Sequence, residues 1–284
     1  MREKQGIYWW ISAVGMCVAL MGMTLQPDLL AADVDGDGLD DAWESANGYS
    51  VLLKTHIVHV DAVNGDDVTG DGVTAATALK SIGAALSSGL FAAGEENVVL
   101  AAAGTYTGPA NRELDFNGKD IWLRGALGAG STLVDLEESG RFLALSHGET
   151  AASRLEGFTI RNGYKAMYGT AVHLSGSSMS IRDCVFENNR SGRKVVFDYG
   201  GGIVQSWWED ADTTAAVYAE NAAVHLYGCV FRGNHSSPAM WSGPGLSMGL
   251  DNAGALFLTR ADGSTVEDCS FLGNSGQGAG AVAI

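Results

Sequence analysis

Three times in this chain a Cys, one variable residue, a Phe, two further residues and an Asn follow one another in that order. The copies run Cys184 to Asn189, Cys229 to Asn234 and Cys269 to Asn274, and each follows an apolar residue and a two-residue polar or Gly step. A looser copy, Leu155 to Gly163, has Phe158 in the Cys slot and Ile160 in the Phe slot. A half-unit that cannot bury its own apolar face must stack on copies of itself, so the pattern predicts a solenoid. Cys and Phe stand two apart and share one face of a strand. Stacking in register then puts Cys over Cys and Phe over Phe inside the tube. The closing Asn is expected at the turn, in the left-handed region and bonded to its own backbone.

A second element alternates with the first. Gly169-Thr170-Ala171-Val172-His173-Leu174, Gly201-Gly202-Ile203-Val204, Ala253-Gly254-Ala255-Leu256-Phe257-Leu258 and Ala279-Gly280-Ala281-Val282-Ala283-Ile284 each open a short apolar strand with small residues. Small residues let the backbone turn a corner and approach the coil above. The paired Phe-x-x-Asn and Gly-Gly-Ala-Ile-like motifs, between Gly169 and Ile284, resemble the repeats of the polymorphic outer membrane protein family. That resemblance implies an all-β, right-handed parallel β-helix and, in some members, an adhesive role. The stretch from Val58 to Gly65, with Asn97 to Leu100 and Gly104 to Tyr106, is similar to the start of pectate-lyase-like β-helix proteins.

The 39 Gly and 4 Pro suit short strands and tight turns. A net charge of −16 argues against nucleic acid or an anionic membrane as partner. Of four Cys, Cys17 lies in the leader and the others fill the repeat slot, which reads as buried small hydrophobes rather than a disulfide or zinc framework. A charged head, an apolar run from Ile7 to Leu25 and Leu29-Leu30-Ala31-Ala32 mark residues 1–32 as a secretory signal peptide, an uncleaved anchor being the alternative.

Residues 33–56 form an acidic loop and linker, and 57–284 the β-helix. In Asp33-Val34-Asp35-Gly36-Asp37-Gly38-Leu39-Asp40-Asp41-Ala42-Trp43-Glu44 the carboxylates and glycines fall at the positions of an EF-hand-type calcium loop. Asp33, Asp35, Asp37, Asp41 and Glu44, with the Leu39 carbonyl, would hold a structural Ca2+. Asp40 stands where an EF-hand has an apolar residue and no entering helix is evident, so the loop resembles the thrombospondin type 3 or dockerin kind. Asp61, Asp66, Asp67 and Asp71 read as a polar loop in preference to a second calcium site.

Leu79, Ile82 and Leu86 have helical spacing and predict a short helix over 78–86 capping the N-terminal end of the coil. Apolar clusters at 98–100, 121–123, 142–145 and 158–160 recur at about one coil's length. Two segments read as insertions: 206–221, with Trp207, Trp208 and Tyr218, and 236–251, with Trp241. Exposed aromatics beside carboxylates suit a glycan platform, the alternative being rings folded back over the coil. Of the candidate charges Arg161, Lys165, Arg182 with Asp183, Arg190, Arg193 and Lys194, only Arg182 and Asp183 fall inside a repeat, at a step where outward charges are expected, and no run of Asp-Asp, Gly-His-Gly and Arg-x-Lys points to catalysis.

The expectation is an exported extracellular or outer-membrane surface protein, structural or adhesive, with polysaccharide or a neighbouring or host cell surface as partner. Membrane attachment is expected only through an uncleaved leader or an anchor beyond Ile284. The alternative is a polysaccharide lyase or glycoside hydrolase of the pectate-lyase-like superfamily. The Gly-rich strand at Ile284 without a cap reads as a truncated coil.

Overall fold

The computed structural model describes residues 32–165, 168–191, 193–198, 204–209, 214–236, 253–276 and 278–284, so the expected leader lies outside them apart from Ala32. Two compact units are present, one ending at Lys54 and one from Thr55 to Ile284. In the first, a turn of acidic residues leads into helix α1 (Asp41–Asn47).

The second unit is a right-handed parallel β-helix of three sheets. The first sheet stacks β1 (Thr55–Val60), β2 (Glu96–Ala101), β4 (Ile121–Gly125), β7 (Arg154–Glu156), β10 (Met179–Arg182), β15 (Val224–Tyr227) and β18 (Thr265–Glu267). The second stacks β3 (Gly104–Tyr106), β5 (Thr132–Asp135), β8 (Thr159–Arg161), β11 (Val185–Glu187), β16 (Val230–Arg232) and β19 (Ser270–Leu272). The third stacks β6 (Leu143–Leu145), β9 (Tyr168–Ser175), β14 (Thr214–Glu220), β17 (Leu256–Thr259) and β20 (Val282–Ala283). The chain begins its first strand at Thr55, two residues ahead of the expected boundary.

The Cys-x-Phe half-unit forms the second sheet, in register as expected. Val134, Ile160, Phe186, Phe231 and Phe271 are successive partners, and the three rings stack with centroids 4.8 and 5.0 Å apart. Cys184 and Cys229 are fully buried, and burial pushes the Cys229 thiol up to about 12, so it is inert at neutral pH. The corner between first and second sheets is one residue in the left-handed region: Gly157, Asp183, Gly228 and Asp268. That is why the polar or Gly step precedes each Cys slot.

The closing Asn corrects the expectation. The left-handed residue is its predecessor, Asn188, Gly233 or Gly273. Asn189, Asn234 and Asn274 instead form a ladder between coils, each amide donating to the carbonyl oxygen of the coil below: Ile160, Phe186 and Phe231. Asn189 and Asn234 are fully buried, so their Asn-x-Ser triplets are not open to glycosylation.

Two further corrections concern spacing. The four early apolar clusters do not mark one position of the coil: 98–100 and 121–123 lie in the first sheet, 142–145 reaches the third and 158–160 the second. All three strands of a coil are apolar inside, so apolar recurrence does not say which sheet a strand joins. Of the expected strand opening at Gly201 to Val204, only Val204 lies among the described residues. Val204 opens β13 (Val204–Glu209), antiparallel to β12 (Arg193–Asp198), and β14 supplies the third-sheet strand.

At the N-terminal end helix α2 (Ile82–Ser87) packs against β1 and β2 and buries Ile82 and Ala85. It begins four residues late because the Ser81 hydroxyl caps it, accepting from Ala84 N at 3.2 Å. Leu79 is drawn out of the helix to pair with Val60, so the loop from Gly72 to Leu79 covers the free edge of β1.

Candidate functional site

Along the third sheet, Leu143, Val172, Val217 and Leu256 are buried within the apolar core, while the alternate row Ala144, His173, Tyr218, Phe257 and Ala283 faces outward. Tyr218 stacks on Phe257 with centroids 5.2 Å apart, and His173 stacks on Tyr168 at 5.1 Å. Tyr218 is therefore a strand residue and not part of an inserted loop. At 4% exposure its ring is covered and offers no face to a sugar. It was misplaced because Thr214 to Ala219 lacks glycine and reads as a continuation of the polar run before it.

Both tryptophan-bearing insertions are rooted on this sheet. One leaves after Ser191 and returns at Thr214, and the other leaves after Ser236 and returns at Ala253. Their roots are joined by hydrogen bonds: Ser191 N donates to His235 O at 2.9 Å, Ala253 N to Thr214 O at 3.2 Å, and the Ser236 hydroxyl to Thr214 O at 3.3 Å. Trp207 and Trp208 lie in β13, paired with Val195 and Lys194 of β12. Trp241 falls outside the described residues.

Beside the row, His173 Nε2 is 3.9 Å from Glu220 Oε1, and the Ser175 hydroxyl donates to the same oxygen at 2.9 Å. Buried Arg141 and Lys165 both reach the Glu113 carboxylate, at 3.4 and 2.6 Å. Burial, then Arg141, lowers the His173 pKa to about 4. The unfolded chain takes up this proton near pH 6.5 and the folded coil resists it. Stability is thus undiminished above pH 6.5 and falls as pH drops toward 4. We expect about 2–3 kcal/mol lost over that window through this residue. His173→Gln should flatten the slope of unfolding free energy against pH; equal slopes in the two proteins would refute it. His59 and His235, also lowered by burial, add a smaller slope of the same sign.

In the N-terminal unit, one oxygen each of Asp33, Asp35 and Asp37 lie within 4.8 Å of one another. Asp33 also accepts from Gly36 N and Gly38 N, which curls the loop. Glu44 is fully buried at the first turn of α1, and Asp41 Oδ1 is held by Val34 N at 2.9 Å. Asp40 caps the helix, its Oδ1 accepting from Trp43 N at 2.8 Å, which explains an acid where an EF-hand has an apolar residue. The buried Oδ2 of Asp35 has no hydrogen-bond partner among the described residues, and a hard cation with oxygen ligands fits such a donor set.

Other carboxylates build turns. Asp61, Asp66 and Asp71 each accept from the backbone two residues on, and Asp67 holds Lys80 N, Ser81 N and the Ser81 hydroxyl. Buried Glu149 accepts from Gly118 N and His147 N, beside a 2.9 Å pair between His147 and Asp115.

Sequence reasoning missed the outer face of the first sheet. Ile121, Leu123, Leu155, Ile181 and Leu226 point inward, which turns Trp122, Arg124, Arg154, Glu156, Arg182 and Tyr227 outward. The alternation in Ile121-Trp122-Leu123-Arg124 carried the signal, but only the register shows that these side chains are neighbours.

No family model and no curated protein matches the chain. Among solved structures it is similar to the pectin methylesterase from Aspergillus niger, in two deglycosylated forms. Identity is 12%, coverage 78% of this chain and 86% of the other, and the TM-score 0.35.

Proposed function

We propose that this is an exported, surface-exposed β-helix with a structural and adhesive role, holding glycan through Trp207, Trp208 and Trp241. The observation that carries the reading is the bonding between the roots of the two insertions. The described ends of both insertions meet on neighbouring coils, and Trp207 and Trp208 belong to the first insertion and Trp241 to the second. Indole rings on a rigid scaffold suit stacking on sugar faces. The role we assign is retention and not turnover: outside the acidic N-terminal loop, the carboxylates traced above are engaged in turns, clamps and ion pairs.

The N-terminal loop serves as a calcium-stiffened connection, with Asp33, Asp35, Asp37, the Leu39 carbonyl, Asp41 and Glu44 as ligands. Protein immobilised and exposed to neutral and acidic glycans should retain at least one class without releasing shorter or unsaturated sugars. The double variant Trp207→Ala/Trp208→Ala should weaken retention about tenfold or more, as loss of stacking rings at about 1 kcal/mol each implies. Release of product would move the chain to the lyases or hydrolases, and unchanged retention would remove the tryptophans from the reading. Titrating the full chain with calcium should give one binding heat, absent from Asp33→Asn/Asp35→Asn; a heat that persists would overturn the ligand set.

A further inference from the structure

At the corner where each coil passes from the third sheet back to the first, three successive turns bring together Asp115, then His147 with Glu149, then Ser177. Leu114, Phe116 and Leu145 are buried in the core, which turns Asp115 outward and leaves His147 just past the strand end. His147 Nδ1 lies 2.9 Å from Asp115 Oδ2 of the coil before it. One oxygen of each carboxylate, Asp115 and Glu149, and a ring nitrogen of His147 all fall within 4.8 Å of one another.

Glu149 is only 3% exposed, yet its carboxylate meets neutral donors alone: Gly118 N at 2.8 Å, His147 N at 3.0 Å and the Ser177 hydroxyl. Among the described residues no lysine or arginine pairs with Asp115 or Glu149. Elsewhere on the coil Glu113, Asp135 and Glu187 each have such a cation within 3.4 Å. A buried carboxylate without a counter-charge is costly, and each of its oxygens keeps a lone pair after one N–H is bound. The turn that carries the two donors is also fixed from three coils. Gly148 N donates to Ser177 Oγ at 3.0 Å, Ser178 N to Glu149 O at 2.7 Å, and Thr150 N to Asp120 Oδ1 at 2.8 Å. Gly118, at φ +76°, lets the turns close: a Cβ there would lie 3.2 Å from the His147 carbonyl oxygen.

We infer that Asp115, His147 and Glu149 form a site for a divalent transition metal of the zinc class, which clips two successive coils together at this corner. One imidazole nitrogen with two carboxylate oxygens suits zinc and its neighbours, whereas calcium takes six or more oxygen donors. With bonds of about 2.0–2.2 Å, atoms on a common ion lie at most about 4.4 Å apart, so a cluster this tight needs little closure. The imidazole is 57% exposed, which leaves water free to complete the coordination. Ser177 and Gly118 N hold Glu149 from behind, as partners of metal ligands do. The ligands come from two coils, so the ion adds a cross-link to the backbone ladders. The site stands apart from the acidic N-terminal loop, whose expected ligands are all oxygens, and from the insertions, which leave between the second and third sheets.

Titration with zinc chloride of the full chain carrying Asp33→Asn/Asp35→Asn, which silences the acidic loop, tests it. One zinc per chain should bind, and the thermal midpoint should rise by about 5–10 °C at a hundred times the dissociation constant. Calcium should do neither. His147→Gln, at an exposed position that the fold tolerates, should weaken zinc binding at least tenfold, and Ser177→Ala about tenfold through Glu149. His173→Gln removes a histidine beside another carboxylate, Glu220, and should change nothing. Copper(II) in place of zinc should show coupling to a single nitrogen in its paramagnetic resonance spectrum, lost in His147→Gln. Zinc binding and midpoint unaffected by His147→Gln overturn the site. Calcium bound there as tightly as zinc overturns the assignment to a transition metal.

Discussion

Asn234→Ala is expected to lower the stability of the coil by about 3–5 kcal/mol, because several buried groups lose a partner at about 1–3 kcal/mol each. Asn234 Oδ1 accepts from the backbone and side-chain nitrogens of Asn189, at 3.0 and 3.1 Å. Its Nδ2 donates to Phe186 O and to Asn274 Oδ1, both at 2.9 Å. Alanine therefore orphans an N–H and a carbonyl deep between coils, where no solvent reaches. Asn234→Asp should be no milder, since it keeps the acceptor but buries a charge beside the Asn274 oxygen. Asn274→Ala, only partly buried and at the end of the ladder, should cost less than half as much. Urea unfolding of the three variants measures this. A loss under about 1 kcal/mol for Asn234→Ala would mean that water satisfies the groups and that the ladder is ornamental.

The ladder also shows where the sequence stopped being readable. Which residues stack was legible from Cys, Phe and Asn alone, because period and face are local properties of a strand. What the Asn does was not, because its partners lie a whole coil away: the Asn189 amide meets Ile160 and Asn234. Its αL neighbour was hidden for the same reason, since Asn188, Gly233 and Gly273 all tolerate that region and none stands out. Tyr218 was misread on composition, lying in a strand with no glycine to announce it. The acidic loop was legible because its ligands fall within twelve residues. The corner cluster was not: Asp115 and His147 are ordinary polar residues until stacking sets them 2.9 Å apart on adjacent coils. Solenoids make inward periodicity plain and leave outward neighbourhoods to a register that loop length decides.

Phe231→Ala should be the more damaging core change, at about 3–5 kcal/mol. Its ring is fully buried between Phe186 and Phe271, at 4.8 and 5.0 Å, and nearly parallel to both. Removal leaves a void that neither neighbour can close, since each is fixed by the register of β11, β16 and β19. The cost has a second part peculiar to a stack. Each coil is stabilised by its own contacts and by the interface to the next, so weakening one interface weakens the coupling between the coils on either side. Phe231→Leu keeps most of the volume and should cost about 1–1.5 kcal/mol with a single transition. Phe231→Ala should not only lower the denaturation midpoint but also broaden the transition, with the last coil opening before the rest. Hydrogen exchange separates the cases: amides of β18 and β19 should lose protection well before those of β4 and β5. Uniform loss of protection along the coil would show that the phenylalanine column couples the coils no more strongly than the backbone ladders beside it.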